Sequence, residues 1–142
     1  MAERRKFDVS LVTPEGAAFE GEAEMMIVPG AAGEIGVLAR HAPLVATLKA
    51  GSTRVYLNID SGDVREFATG PGFFKVELDR AIALVDDAVH AKDIDDERAR
   101  RQLEEAKAEL ERLERGESDA DRWQVEQRIR HAENQLTVAG RG

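Results

Sequence analysis

The 142-residue sequence contains no cysteine, so disulfides and thiolate metal sites are excluded and a reducing compartment is the simpler setting. Long apolar runs are missing too. No stretch approaches the ~20 residues of a helical membrane span, and residues 1–7, MAERRKF, lack the apolar core of a signal peptide. The expectation is a soluble protein, or one held at a membrane through another protein. Aromatics are scarce, with one Trp and one Tyr, and basic residues are outnumbered 20 to 28 for a net charge of −8. Phosphate neutralisation and base stacking both need what is absent here, which argues against nucleic acid as a partner. The one basic cluster, Arg4-Arg5-Lys6, reads as a solvated terminus.

Proline and glycine are unevenly spread. All four prolines and nine of the twelve glycines precede residue 91, whereas 25 of the 52 residues in 91–142 are charged. Turn punctuation in the first part and its loss in the second predict two domains, 1–90 and 91–142.

The first part reads as short strands. Phe7, Val9 and Leu11 alternate with polar residues, and Ala23, Met25 and Ile27 alternate with Glu22 and Glu24. On this pattern Glu20, Glu22 and Glu24 lie on a wet face. Val55, Leu57 and Ile59 lead to a turn at Asp60-Ser61-Gly62-Asp63, with a return strand from Val64 to Ala68. After Thr69-Gly70-Pro71-Gly72, the residues Phe74, Val76 and Leu78 alternate again, and Ile82 and Leu84 continue the apolar set. Strands and turns at this spacing predict an antiparallel β-sandwich or flattened barrel.

The second part reads as an antiparallel two-helix hairpin. Ala99, Leu103, Ala106, Leu110 and Leu113 form one stripe, and Val125, Ile129, Ala132, Leu136 and Ala139 a second. Gly116-Glu117-Ser118-Asp119 separates them, and Ser118 with Asp121 has capping-box spacing. Glu97–Arg101, Glu111–Arg115 and Glu126–Arg130 are spaced to pair one turn apart. Both stripes are narrow and alanine-rich, so the hairpin is a weakly held arm on a firm β body.

No catalytic constellation is present. His41, His90 and His131 are scattered without ligand-like partners, so no metal site is expected. There is neither a P-loop nor a nucleophile elbow. What stands out is Val28-Pro29-Gly30-Ala31-Ala32-Gly33-Glu34-Ile35-Gly36-Val37-Leu38-Ala39-Arg40-His41-Ala42-Pro43-Leu44-Val45. Its G-x-x-G-x-x-G spacing leads into a strand and not a helix, so it is no phosphate cradle. It reads as a tight loop between short strands, with Gly30, Gly33 and Gly36 free to take positive φ and Glu34 and His41 offered to a partner.

The run V-P-G-x-x-G-E-x-G-V-L-x-x-H-A-P-L-V resembles the signature of the ε subunit of the rotary ATP synthase, and the resemblance extends to Thr13-Pro14-Glu15-Gly16 and the helical tail. It implies a non-catalytic central-stalk subunit that couples the catalytic head to the membrane c-ring, as a peripheral subunit on the cytoplasmic face of the cell membrane or on a plastid thylakoid. The implied partners are the γ subunit, the c-ring and the β subunit of the head. Glu34 and His41 match ring-contact positions. Arg98, Arg100, Arg101, Arg112, Arg115 and Arg122 are the arm residues that the resemblance turns toward an acidic segment of β, where the arm restrains hydrolysis.

Ile94, Asp95, Arg98 and Ala99 also match an I/L-D-x-x-R-A pattern with which some ε subunits bind ATP. The chain departs from that pattern where His131 and Gln135, and Glu105 on the first helix, replace arginines. A phosphate site without its bidentate cations is weak, so ATP is implied only as a weak regulatory ligand, with no other cofactor. A second departure is Pro71-Gly72 before Phe73, where the family commonly has a Gly-Gly pair. The competing class is a free-standing β-sandwich adaptor whose hairpin binds a partner helix.

Overall fold

A computed structural model describes residues 4–140, leaving residues 1–3 and 141–142 of the two predicted domains outside the described residues. The chain divides into two compact units, with the boundary between Ala91 and Lys92.

The first unit holds ten strands: β1 (Phe7–Thr13), β2 (Gly16–Ala23), β3 (Met25–Gly30), β4 (Gly33–Leu38), β5 (Leu44–Leu48), β6 (Gly51–Asn58), β7 (Asp63–Thr69), β8 (Gly72–Glu77), β9 (Arg80–Val85) and β10 (Ala88–His90). Their order is β10-β7-β6-β3-β5-β8-β9-β1-β2, with β4 paired to β3, in a nearly closed sandwich. The expected β body is present. Its one departure from antiparallel pairing is β1 against β9, which is parallel.

Local chemistry sets the hairpins. Pro14 and Glu15 turn β1 into β2, where Thr13 Oγ1 accepts the Glu15 N–H at 3.1 Å. The β6–β7 turn falls where the sequence places it, with Asn58 Oδ1 accepting the Ser61 N–H at 2.9 Å. Of the glycines in the glycine-rich run, Gly33 alone takes a positive φ, of 142°. Gly30 is required for another reason, since a Cβ there would lie 2.6 Å from the Gly33 carbonyl oxygen.

The core is built from Phe7, Val9, Leu11, Met26, Val28, Val37, Val55, Phe74 and Val76 with the smaller Ala23, Ala81 and Ala83. Four expectations are corrected here. The alternation through Ala23, Met25 and Ile27 breaks at Glu24, which ends β2, so β3 buries Met26 and Val28 and leaves Met25 and Ile27 half-buried. Glu24 does not face water. It is 7 % exposed, its N–H donates to Tyr56 O at 2.8 Å, and its Oε1 accepts the Ile59 N–H at 2.8 Å. On β9 the inward residues are Ala81, Ala83 and Val85, with Ile82 half-buried and Leu84 outward. Leu78 leaves the strand pattern altogether, 81 % exposed in the β8–β9 turn at φ 56°.

The second unit is the expected two-helix hairpin, α1 (Asp96–Glu114) and α2 (Arg122–Ala139). Asp95 caps α1 by accepting the Arg98 N–H at 3.1 Å. Asp121 caps α2, accepting from Trp123 N at 2.9 Å and Gln124 N at 3.3 Å. Ser118 is therefore not a capping-box residue. Its Oγ accepts the Ala120 N–H and donates to Glu109 Oε1 at 3.1 Å. The predicted stripes carry the buried positions Ala99, Ala106, Val125 and Ala132, while near the end of α2 it is Val138 that is buried and Ala139 only half so.

Gly72 tests the β8–β9 register. A Cβ there would sit 1.9 Å from Leu84 O, in the backbone of the neighbouring strand. Gly72→Ala is expected to destabilise the protein by more than ~2 kcal/mol, read as a lowered denaturant midpoint. An unchanged midpoint would show that the strands are not this closely apposed.

Candidate functional site: two ends of a strand and a charged helical face

The glycine-rich run does not form a single loop. Ala31 and Ala32 turn β3 into β4, and β4 carries the chain away to a second turn at residues 39–43. Glu34 stands opposite Pro29 beside the first turn, and His41 lies in the second. At ~3.3 Å per strand residue, Glu34 and Leu38 alone are ~13 Å apart. The structure therefore does not bring Glu34 and His41 together, and they cannot bind one small group between them.

Each end has its own geometry. Glu34 borders a groove of ≈ 360 Å³ lined by Ala31, Ala32, Ile35 and Thr47. Its Oε2 accepts from Arg54 Nη2 at 2.7 Å, while its side chain remains 60 % exposed. At the far end, His41 Nδ1 donates to Ala42 O at 2.6 Å, which leaves Nε2 as the other ring position. Arg40, at φ 62°, donates its N–H to Asp79 Oδ1 at 3.1 Å. A cavity of ≈ 470 Å³ adjoins this end, lined by Arg4, Arg5, Glu24, Leu38 and Ile59.

A third feature escaped the sequence reading. Phe73 on β8 is in register with Leu84 on β9, and Leu84 with Val12 on β1. Phe73 is 62 % exposed, Leu84 49 %, and Val45, in the adjoining row of β5, 72 %. Phe73 and Leu84 form an outward apolar row across the sheet, with Val45 beside it opposite Lys75. The apolar set of the sequence continues through Ile82 and Leu84, although the strand's other parity, Ala81, Ala83 and Val85, is apolar too.

In the helical unit, Arg98, Arg100, Arg101, Arg112, Arg115 and Arg122 are all exposed. At 100° per residue, Arg98, Arg101, Arg112 and Arg115 fall within roughly 100° of one side of α1, and Arg100 lies off it. The ion pairs differ from those expected. Arg112 pairs with Glu109, Arg115 with Glu117 at 3.8 Å, and Arg122 with Glu126 at 3.5 Å and Glu114 at 4.0 Å. A turn contact to Glu117 takes Arg115 from Glu111, while Glu126 keeps a helical i,i+4 spacing but pairs backward with Arg122 and not forward with Arg130. Of the nucleotide-pattern residues, Asp95 is engaged as the α1 cap, Ile94 is half-buried, Ala99 is buried and Arg98 is exposed. Among the described residues, no three His, Asp or Glu side chains are grouped to hold a metal. No described helix is long and apolar enough to cross a membrane.

A β-sandwich with an exposed acidic hairpin and a charged helical pair defines a class, and the comparisons agree. Residues 6–91 match the family described as the ATP synthase delta/epsilon chain β-sandwich domain. The ATP synthase epsilon chain of Halalkalibacterium halodurans is 38 % identical over 94 % of this chain and 96 % of that one. That of Rubrobacter xylanophilus is 36 % identical over 98 % and 95 %. A chain of the Euglena gracilis mitochondrial ATP synthase OSCP/F1/c-ring structure shares the fold, with a TM-score of 0.74, 22 % identity, and coverage of 99 % of this chain and 85 % of that one. The protein belongs to the ATP synthase epsilon chain family, whose members are non-catalytic subunits of a membrane-associated complex. It is thus a subunit of that assembly and not a free-standing adaptor.

Within the hairpin, hydrogen bonds from Arg112 and then Ser118 hold the Glu109 carboxyl below its ordinary range. A depressed carboxylate contributes stability above its unfolded pKa and loses it as pH falls through the folded value. The difference in urea midpoint between the native chain and Glu109→Gln, read by helical circular dichroism, is therefore expected to shrink on acidification. A difference independent of pH would remove Glu109 from the turn's stabilisation.

Proposed function

We propose that this chain is a rotor subunit of the central stalk, with the β body as its anchor and the helical hairpin as a brake on ATP hydrolysis. The observation that carries this reading is the division of labour between the two units. The sandwich has a continuous core from Phe7 to Val85, whereas α1 buries only Ala99 and Ala106. An element held by so little apolar surface changes posture at small cost.

On this reading the outward apolar patch of Val45, Phe73 and Leu84 packs on the γ subunit, since such a surface on a sheet face is better covered than wet. Glu34, beside its groove, and His41, at the other end of β4, meet polar loops of the c-ring at separate points. That spread suits a ring better than a single peptide. The exposed arginines of α1, with Arg122, face an acidic segment of the catalytic β subunit. The solved relative from Euglena gracilis is titled as an assembly with F1 and c-ring, which is in keeping with these partners. The subunit then sits peripherally at the cytoplasmic face of the membrane, or at a thylakoid.

The test is ATP hydrolysis by the cognate catalytic sector stripped of this subunit. Adding back the full chain is expected to slow hydrolysis, and adding back a chain ending at His90 is expected to bind without slowing it. Equal inhibition by both would place the brake in the sandwich. Binding by neither would end the rotor reading.

ATP enters only as a weak regulatory ligand of Ile94, Asp95, Arg98 and Ala99. Two things limit it: Asp95 already caps α1, and Glu105, His131 and Gln135 stand where cations would complete a phosphate site. Calorimetric titration with millimolar ATP is expected to give small heats that Arg98→Ala removes. No heat at all would exclude nucleotide from the mechanism.

A further inference from the structure

Glu34 is not a freely moving surface carboxylate. β4, β3 and β6 lie side by side, with Gly36, Ile27 and Arg54 in one rung and Glu34 and Pro29 in the next along β4. Arg54 therefore reaches diagonally over β3 to meet Glu34, and its Nη2 donates to Oε2 at 2.7 Å. Gly36 puts no side chain in the rung that the guanidinium crosses.

The two partners are unequally exposed. The Arg54 side chain is 26 % exposed against 60 % for Glu34, and Arg54 Nε is buried without a hydrogen-bond acceptor among the described residues. A cation laid across a strand in this way has little freedom to swing, whereas an isolated surface glutamate samples several rotamers. Glu66, opposite Arg54 in the β6–β7 ladder, takes a 2.6 Å bond from Ser52 Oγ.

We propose that Arg54 is the positioning residue of the Glu34 contact: it fixes the carboxylate by one oxygen beside the groove and leaves Oε1 for the partner. This rests on the reading that Glu34 meets the c-ring. It also specifies the chemistry of the partner. A carboxylate already paired with a guanidinium gains little from a second cation but still accepts well from neutral amide or hydroxyl donors. The ring group that meets Glu34 is therefore a neutral donor on a polar loop. Holding the carboxylate in its bound posture lowers the ordering cost of association.

The experiment measures re-binding of full-length variants to cognate synthase membranes stripped of this subunit, together with ATP-driven proton pumping. Glu34→Gln and Arg54→Gln are each expected to weaken re-binding about three- to tenfold, the range of one typical net hydrogen bond. The double variant is expected to be no weaker than the weaker single one. Arg54→Lys restores part of the affinity. The exchanged pair, Glu34→Arg with Arg54→Glu, re-forms an ion pair but removes the carboxylate from the groove, so it stays weak.

Loss with Glu34→Gln but not with Arg54→Gln, additive losses in the double variant, or full rescue by the exchanged pair would each overturn the positioning role while leaving the ring contact intact. No loss with Glu34→Gln would overturn the ring contact itself. A merely structural role for Arg54 predicts the rescue by exchange, because the fold needs only the pair and not its direction.

Discussion

A buried carboxylate holds the corner on which the arrangement of the β body depends. Glu24 stands between β2 and β3, where the chain passes from the edge of the strand order to its middle. Taking a carboxylate out of water is costly unless its oxygens are bonded. Glu24 meets that demand by accepting the Ile59 N–H, while its own N–H donates to Tyr56 O. These bonds tie the corner to the end of β6 and fix how β3 enters the sheet. A shift of one residue would exchange Met26 and Val28 for Met25 and Ile27 on the buried face. It would also carry Ile27 out of the rung it shares with Arg54 and Gly36. The posture of Glu34 thus rests on a carboxylate buried at the start of the neighbouring strand, β3.

Much of this was legible from residue spacing. Alternation located β1, β6, β7 and β8, and the Asp60-Ser61-Gly62-Asp63 turn fell in place because its chemistry is local. The helix stripes and the acidic residues at their starts located α1 and α2 for the same reason. What local pattern could not supply was anything decided across the sheet. Glu24 looked wet because it follows Glu20 and Glu22 at period two, and only the approach of Ile59 makes its burial affordable. On β9 both parities are apolar, and the choice between Ile82 with Leu84 and Ala81 with Ala83 is made by how closely β8 and β1 flank the strand. Glu34 and His41, seven residues apart in a glycine-rich run, gave no sign that Glu34 itself stands in the strand that carries the chain away from it toward His41.

The hairpin shows the opposite balance. Its helices were readable almost to the residue, but their side-chain pairing was not. Helical spacing favours Glu111 with Arg115 and Glu126 with Arg130, yet Arg115 pairs with Glu117 at the turn and Glu126 takes Arg122, one helical turn before it. Glu109 draws Arg112 and Ser118 into one cluster at the turn. Exposed pairs of this kind are each worth at most ~1 kcal/mol and weaken with salt. Cohesion from such contacts, added to a few buried alanines and valines, makes an element that a stronger partner can reorganise. That is the physical requirement for a brake that must also release.

The inverted parity of β9 links stability to assembly. A chain selected only for the solidity of its own core would turn Leu84 and Ile82 inward, since larger side chains bury more apolar area. Here the strand buries Ala81 and Ala83, leaves Ile82 half-buried and turns Leu84 outward, in a row with Phe73 and Val12. The small inward residues let β9 sit between a parallel neighbour and an antiparallel one with their backbones close, a closeness also felt at Gly72. The outward row then has no partner within its own sheet face and remains exposed. On the proposed reading that is the side on which the β body meets the stalk, so the choice that keeps the sandwich thin also furnishes its apolar docking face.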